Sequence, residues 1–173
     1  SDRPSLKIKL NHIDKTGQID GVTNLTFNNN QQDVSLISQV MSYKLFNASG
    51  SPAPLCAYAK LSVNGQNLGI YTHVERVHRP FLERAFGNQA GVLYEGTLVD
   101  FLPDWSGSFE HKLGSDEMGR KKIQQLIDML HNPTKNIEAA IGKLVDLDSF
   151  YTFWASSAEK VKKTYLLQLF WGW

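Results

Sequence analysis

The chain has 173 residues, with 18 basic against 17 acidic side chains and a formal net charge of +1. That balance gives no electrostatic case for nucleic acid or an anionic membrane as a partner. With 42% hydrophobic and 20% charged residues, the composition is that of a folded protein, and no apolar run approaches the roughly 20 residues of a membrane span. The opening SDRPSLKIKL is already strand-like, so a piece of a longer protein is expected.

Ser5 to Leu10 alternates Leu6, Ile8 and Leu10 with Lys7 and Lys9, the pattern of a half-buried strand with a basic outer face. Val22 to Phe27 reads as a second strand, followed by the polar run Asn28-Asn29-Asn30-Gln31-Gln32. Asp33 or Ser35 can cap a helix with the apolar stripe Leu36, Ile37, Val40, Met41, Leu45 and Phe46. Gly50 closes it, and Pro52 with Pro54 forms a rigid connector. The single cysteine, Cys56, excludes an internal disulfide and reads as a small buried hydrophobe.

Ala57 to Phe86 carries the strongest local signal. Asn64-Gly65 between β-forming flanks predicts a type I′ hairpin, because both central residues of that turn need positive φ. Glu75 then stands between the second strand and a helical run containing Phe81, Leu82, Ala85 and Phe86. Gly91 to Glu95 predicts a short strand, and Gly96 to Gly114 an irregular loop holding Phe101, Trp105 and Phe109. Helices are expected over Arg120 to His131, Asn136 to Leu144 and Asp146 to Lys160. Strands dominate the first half and helices the second, an α+β order.

Several constellations read two ways. Asp146 and Asp148 could be a metal pair, but Asp-x-Asp before an apolar helix is more often a cap. His73 and His78 with Glu75 between them match no common zinc spacing. Gly65-x-x-x-Gly69 lacks the Gly-Lys-Ser/Thr of a phosphate loop and is hairpin geometry. Tyr165 to Trp173 is an aromatic tail that would form an exposed apolar patch if nothing covered it.

The ordered segments PSLKIKL, NLTFNNNQQD, YKLF-x-x-x-G-x-PAP, AYAKLSVNG-x-x-x-GIYTHVE and FLERAFG-x-x-x-GVLYEG resemble the CotH kinase family. These are atypical kinase-like proteins named after spore coat protein H. The resemblance covers about Arg3 to Trp154. It implies a two-lobed kinase-like fold: an antiparallel small lobe with one packed helix and hinge over residues 1–95, the opening of a helical large lobe over 96–155, and a divergent tail over 156–173.

The resemblance further implies binding of ATP and Mg2+ (magnesium) and phosphorylation of bacterial coat, envelope or secreted proteins. Ser35 to Phe46 would be the counterpart of the kinase regulatory helix, and Tyr71 to Val77 the strand and hinge beside the adenine. The cofactor-binding candidates are Glu75 on the hinge, Lys7 and Lys9 reaching phosphate, and Arg3, which stands where the family tends to carry a lysine. The alternatives are a solvent-facing charge for Glu75 and a solvated strand face for the lysines. Asn28, Asn29 and Asp33 match the family's Asn-Asn-x-x-x-Asp pattern, for which a turn and cap role is the plainer reading.

Two departures stand out. Between Leu36 and Phe46 there is no acid, so the Lys–Glu pair of protein kinases cannot form from that helix. No Asp or Asn follows Asp148, so the metal-holding and hydroxyl-orienting groups of phosphoryl transfer are missing from the tail. The expectation is therefore a truncated or altered domain, inactive by itself, with a non-catalytic interaction module as the alternative.

Overall fold

The Asn64-Gly65 turn forms as expected, with φ of 51° and 82° at its two central residues. It joins two antiparallel strands whose register runs from Cys56↔Val74 to Val63↔Gln66. The computed structural model describes residues 3–87 and 91–160; the expected aromatic patch at Tyr165–Trp173 lies outside the described residues. The chain divides into two compact units between Ala85 and Phe86, and both mix helix with antiparallel sheet.

The first unit is built on a sheet of β1 (Leu6–Lys9), β2 (Asn24–Asn28), β3 (Cys56–Val63) and β4 (Gln66–Val74). Their order across the sheet is β1-β2-β4-β3, every pair antiparallel. Helix α1 (Ser38–Ala48) lies in sequence between β2 and β3, and α2 (Arg79–Phe86) follows β4. One register shift interrupts the hairpin, where Leu61 faces Gly69 but Ser62 faces Asn67. Gly69 sits there at φ +86°, and a Cβ on it would lie 3.7 Å from the Arg3 guanidinium carbon. A bulge with a left-handed residue needs glycine for that conformation.

Helix α1 begins later than its apolar stripe predicts. The Asp33 carboxylate accepts hydrogen bonds from the Ser35 amide (3.1 Å), the Ser35 hydroxyl and the Ser38 amide (2.7 Å). The backbone turns with them, and Leu36 is left at φ +60°, so the helix cannot start before Ile37. Of the expected stripe, Val40 and Phe46 are buried while Ile37 and Met41 are more than half exposed. The helix ends as Gly50 predicts. Gly50 (φ +84°) donates to Asn47 and Ser51 to Phe46, which satisfies two end carbonyls.

The second unit differs from the expected loop. Within 96–114 the chain forms a 3₁₀ turn (Ser106–Ser108) and a strand, β6 (Glu110–Leu113), which pairs with β5 (Leu93–Glu95). The sequence EHKL is too polar to show a strand period; Lys112 supports it by pairing with Glu95 and Glu110. Helices α3 (Asp116–His131), α4 (Ile137–Ile141) and α5 (Leu147–Lys160) follow. Ser115 caps α3 one turn earlier than predicted, and Asn136 caps α4 through the Ala139 amide. Ile127, 1% exposed, anchors the apolar face of α3.

Candidate functional site

Register places the candidate residues. In an antiparallel sheet, partners across strands point to one face, so Lys7, Thr26, Val74 and Cys56 form one row. Asn28, Thr72 and Tyr58 form the next row on that face. Helix α1 covers this side, since Asn28 donates to Gln39 (3.1 Å) and the Tyr58 hydroxyl to the Leu36 carbonyl (2.9 Å). Lys7 thus stands two strands from Val74, about 10 Å between Cα atoms at ordinary strand spacing, and Glu75 follows Val74 directly. Both Lys7 and Lys9 are exposed.

Glu75 is held by two partners, Arg84 and Leu55. Its carboxylate takes a forked pair of bonds from Arg84 (Nε 3.2 Å, Nη2 2.6 Å) and a third from the Leu55 amide (2.9 Å). Its own amide donates to the Leu55 carbonyl (2.8 Å). Arg84 also donates to the Ala53 carbonyl (3.0 Å) and lies over the Phe81 ring. The end of β4, the proline connector and α2 are therefore pinned at one point. Arg84 escapes sequence reasoning because it is nine residues from Glu75 across a change of element, where no helical or strand period applies.

Arg3 lies on the opposite face of the sheet from Lys7. Its guanidinium donates to the Ile70 carbonyl (2.6 Å) and stacks 5.0 Å from the centre of the Tyr71 ring. Tyr71 is fully buried, and its hydroxyl donates to the Pro4 carbonyl (3.2 Å). His73 shares that face, its ring 5.3 Å from Phe27 and its Nε2 buried with no hydrogen-bond partner. Lys7 and Lys9 thus share one sheet face with the row that leads to Glu75, and Arg3 lies on the other.

The polar run after β2 is a built turn rather than a loose loop. Asn28 and Asn29 accept from the amides of Asn30 and Gln31, and Asn30, at φ +53°, donates its side-chain amide to buried Thr72 (2.8 Å). Burial alone would raise the Asp33 pKa, but its bonds from Ser35 and Ser38 outweigh that and hold the carboxyl below its ordinary value. This run and Arg3 line a hollow of about 380 Å³. Cys56 is only partly buried rather than the buried hydrophobe expected; that burial pushes its thiol pKa up against the pull of Lys44, away from a reactive thiolate.

In the second unit, the Tyr94 hydroxyl lies 2.8 Å from Asp116 Oδ1 and 2.9 Å from the Asp116 carbonyl. Arg120 donates to the same carboxylate (2.7 Å) and to the Phe109 carbonyl (2.8 Å), with its guanidinium over the Tyr94 ring. Tyr94 first, then Arg120, holds the Asp116 carboxyl below its usual value against burial. These contacts tie α3 to its hairpin. Asp146 caps α5 by accepting from the Ser149 amide and hydroxyl, as Asp-x-Asp predicts. Among the described residues, no group of three or more His, Cys, Asp or Glu side chains could hold a metal ion. Nor is any helix there long and apolar enough to cross a membrane.

The family model described as CotH kinase protein matches residues 1–158. The inner spore coat protein H-like protein of Bacillus subtilis (strain 168) is 37% identical over 67 residues, which is 39% of this chain and 22% of that protein.

Proposed function

The chain belongs to the CotH kinase protein family, and on that premise we propose that its first unit is the nucleotide-binding small lobe of a kinase-like domain. The observation that carries this reading is the sheet of the first unit. It is antiparallel, a single helix enters between its second and third strands, and the last strand runs straight into a pinned segment at Glu75. The second unit is read as the opening of the helical lobe.

On this reading ATP lies along the α1-covered face. The hinge segment at Glu75 borders the adenine, and Lys7 and Lys9 meet the phosphates as charges on a fixed strand. Arg3, on the opposite face, supports the sheet beneath Tyr71 and is not given a phosphate. The described residues do not fit a protein-held magnesium, since no acidic cluster exists among them. Mg2+ is a cofactor implied by the family, and no step is assigned to it.

The family activity, phosphorylation of coat, envelope or secreted bacterial proteins, is proposed for the whole kinase. Among the described residues no group of acids could hold the metals of phosphoryl transfer, and we assign this chain nucleotide binding without transfer. Calorimetric titration with ATP, with and without magnesium, tests the proposal. Saturable binding that weakens in the Lys7→Ala/Lys9→Ala variant supports it; a folded chain that gives no heat with ATP favours a non-catalytic interaction module instead.

A further inference from the structure

A protein kinase fixes its regulatory helix with an ion pair between a strand lysine and a helix glutamate. Neither β2 (NLTFN) nor α1 (SQVMSYKLFNA) contains an acid, and Lys44 is the only charged residue in the two. What joins them is neutral. The Asn28 amide donates to Gln39 Oε1 (3.1 Å), and the Gln39 amide in turn reaches the Tyr43 hydroxyl at 3.5 Å. On its other side, Asn28 accepts from the Asn30 amide (3.0 Å), and Asn30 donates to buried Thr72 (2.8 Å). Thr72 is the register partner of Asn28 on β4. A chain of uncharged groups thus runs from α1 through the end of β2 to the strand that leads to Glu75.

We propose that the Asn28–Gln39 contact is the positioning bridge that sets α1 over the nucleotide face of the sheet, in place of a lysine–glutamate pair. The proposal rests on the nucleotide-binding reading above. Asn28 lies on the same face as Lys7, one row further along β2 from Thr26, so the bridge borders the region given to the phosphates. A neutral bridge avoids the desolvation penalty of a partly buried ion pair. It also carries no cation, which leaves the phosphates to Lys7 and Lys9.

A double-mutant cycle with Asn28→Ala and Gln39→Ala tests it, read in ATP affinity by calorimetry and in stability by urea melts. The cycle removes the effect of the other bond that Asn28 makes. Each single variant is expected to weaken ATP binding about fivefold, the scale of one hydrogen bond, and the double variant no more than the larger single. Gln39→Asn, one methylene too short to reach, is expected to weaken binding like Gln39→Ala and serves if the alanine variants fail to fold. Coupling seen in the melts with ATP affinity unchanged means a merely structural contact and overturns the proposal. So do affinity losses that multiply in the double variant. If the parent chain binds no ATP, the nucleotide reading falls and the bridge falls with it, whereas ATP binding without coupling removes the bridge alone.

Discussion

Gly119 shows how one missing methyl can set a packing distance. A Cβ built there would lie 2.6 Å from both Cε2 and the hydroxyl of Tyr94 and 2.8 Å from Val92 Cγ1. Alanine ordinarily stabilises a helix interior by about 1 kcal/mol relative to glycine. Here the clash with a tyrosine held by Asp116 and Arg120 outweighs that gain, and Gly119→Ala is expected to destabilise by about 1–3 kcal/mol in denaturant melts. An unchanged or raised midpoint would show that Tyr94 moves aside freely. Asp33 gives a prediction in pH. Its folded pKa is lowered from 3.8, so its stabilisation is complete above that value and is lost as pH falls through the lower folded value. Asp33→Ala is expected to cost about 0.5–2 kcal/mol at neutral pH, with the gap to the parent closing below pH 3.8. A gap that stays constant into acid would remove the carboxylate from the capping role.

At the scale of elements, the junction of β4, α2 and the proline connector depends on Glu75 and Arg84. The pair is forked, yet its side chains retain 21% and 34% of their exposure, so solvent screens it and its worth is about 0.5–1 kcal/mol. Arg84→Met keeps apolar contact with Phe81 and removes the charge. The expected result is a loss of about 1 kcal/mol at low salt that shrinks at high salt, measured by urea melts at both. A salt-independent loss would point to packing rather than charge. On the nucleotide-binding proposal, releasing Glu75 would also unpin the segment assigned to the adenine side. The α1 element carries the opposite lesson: its helix start is decided by Asp33 and its turn, and the apolar stripe that predicts an earlier start includes two residues that face outward.

At the scale of the molecule, ATP that binds the folded chain and not the unfolded one must raise its melting temperature. A rise with ATP that Lys7→Ala/Lys9→Ala reduces is the expected result, and no shift at saturating ATP would contradict the small-lobe reading. Family membership was legible in the sequence, because it rests on ordered motifs along nearly the whole chain. So were the Asn64-Gly65 hairpin, the Gly50 helix end, and the capping roles of Asp33 and Asp146, since each depends on residues a few positions apart. The pairing of Glu75 with Arg84, the strand at Glu110–Leu113, the contact of Tyr94 with Asp116 and the neutral tie from Asn28 to Gln39 were decided only by tertiary structure. The separation of Arg3 from Lys7 on opposite sheet faces was decided there too. Strand register and helix docking determine which side chains from different elements meet, and local periodicity carries no record of either.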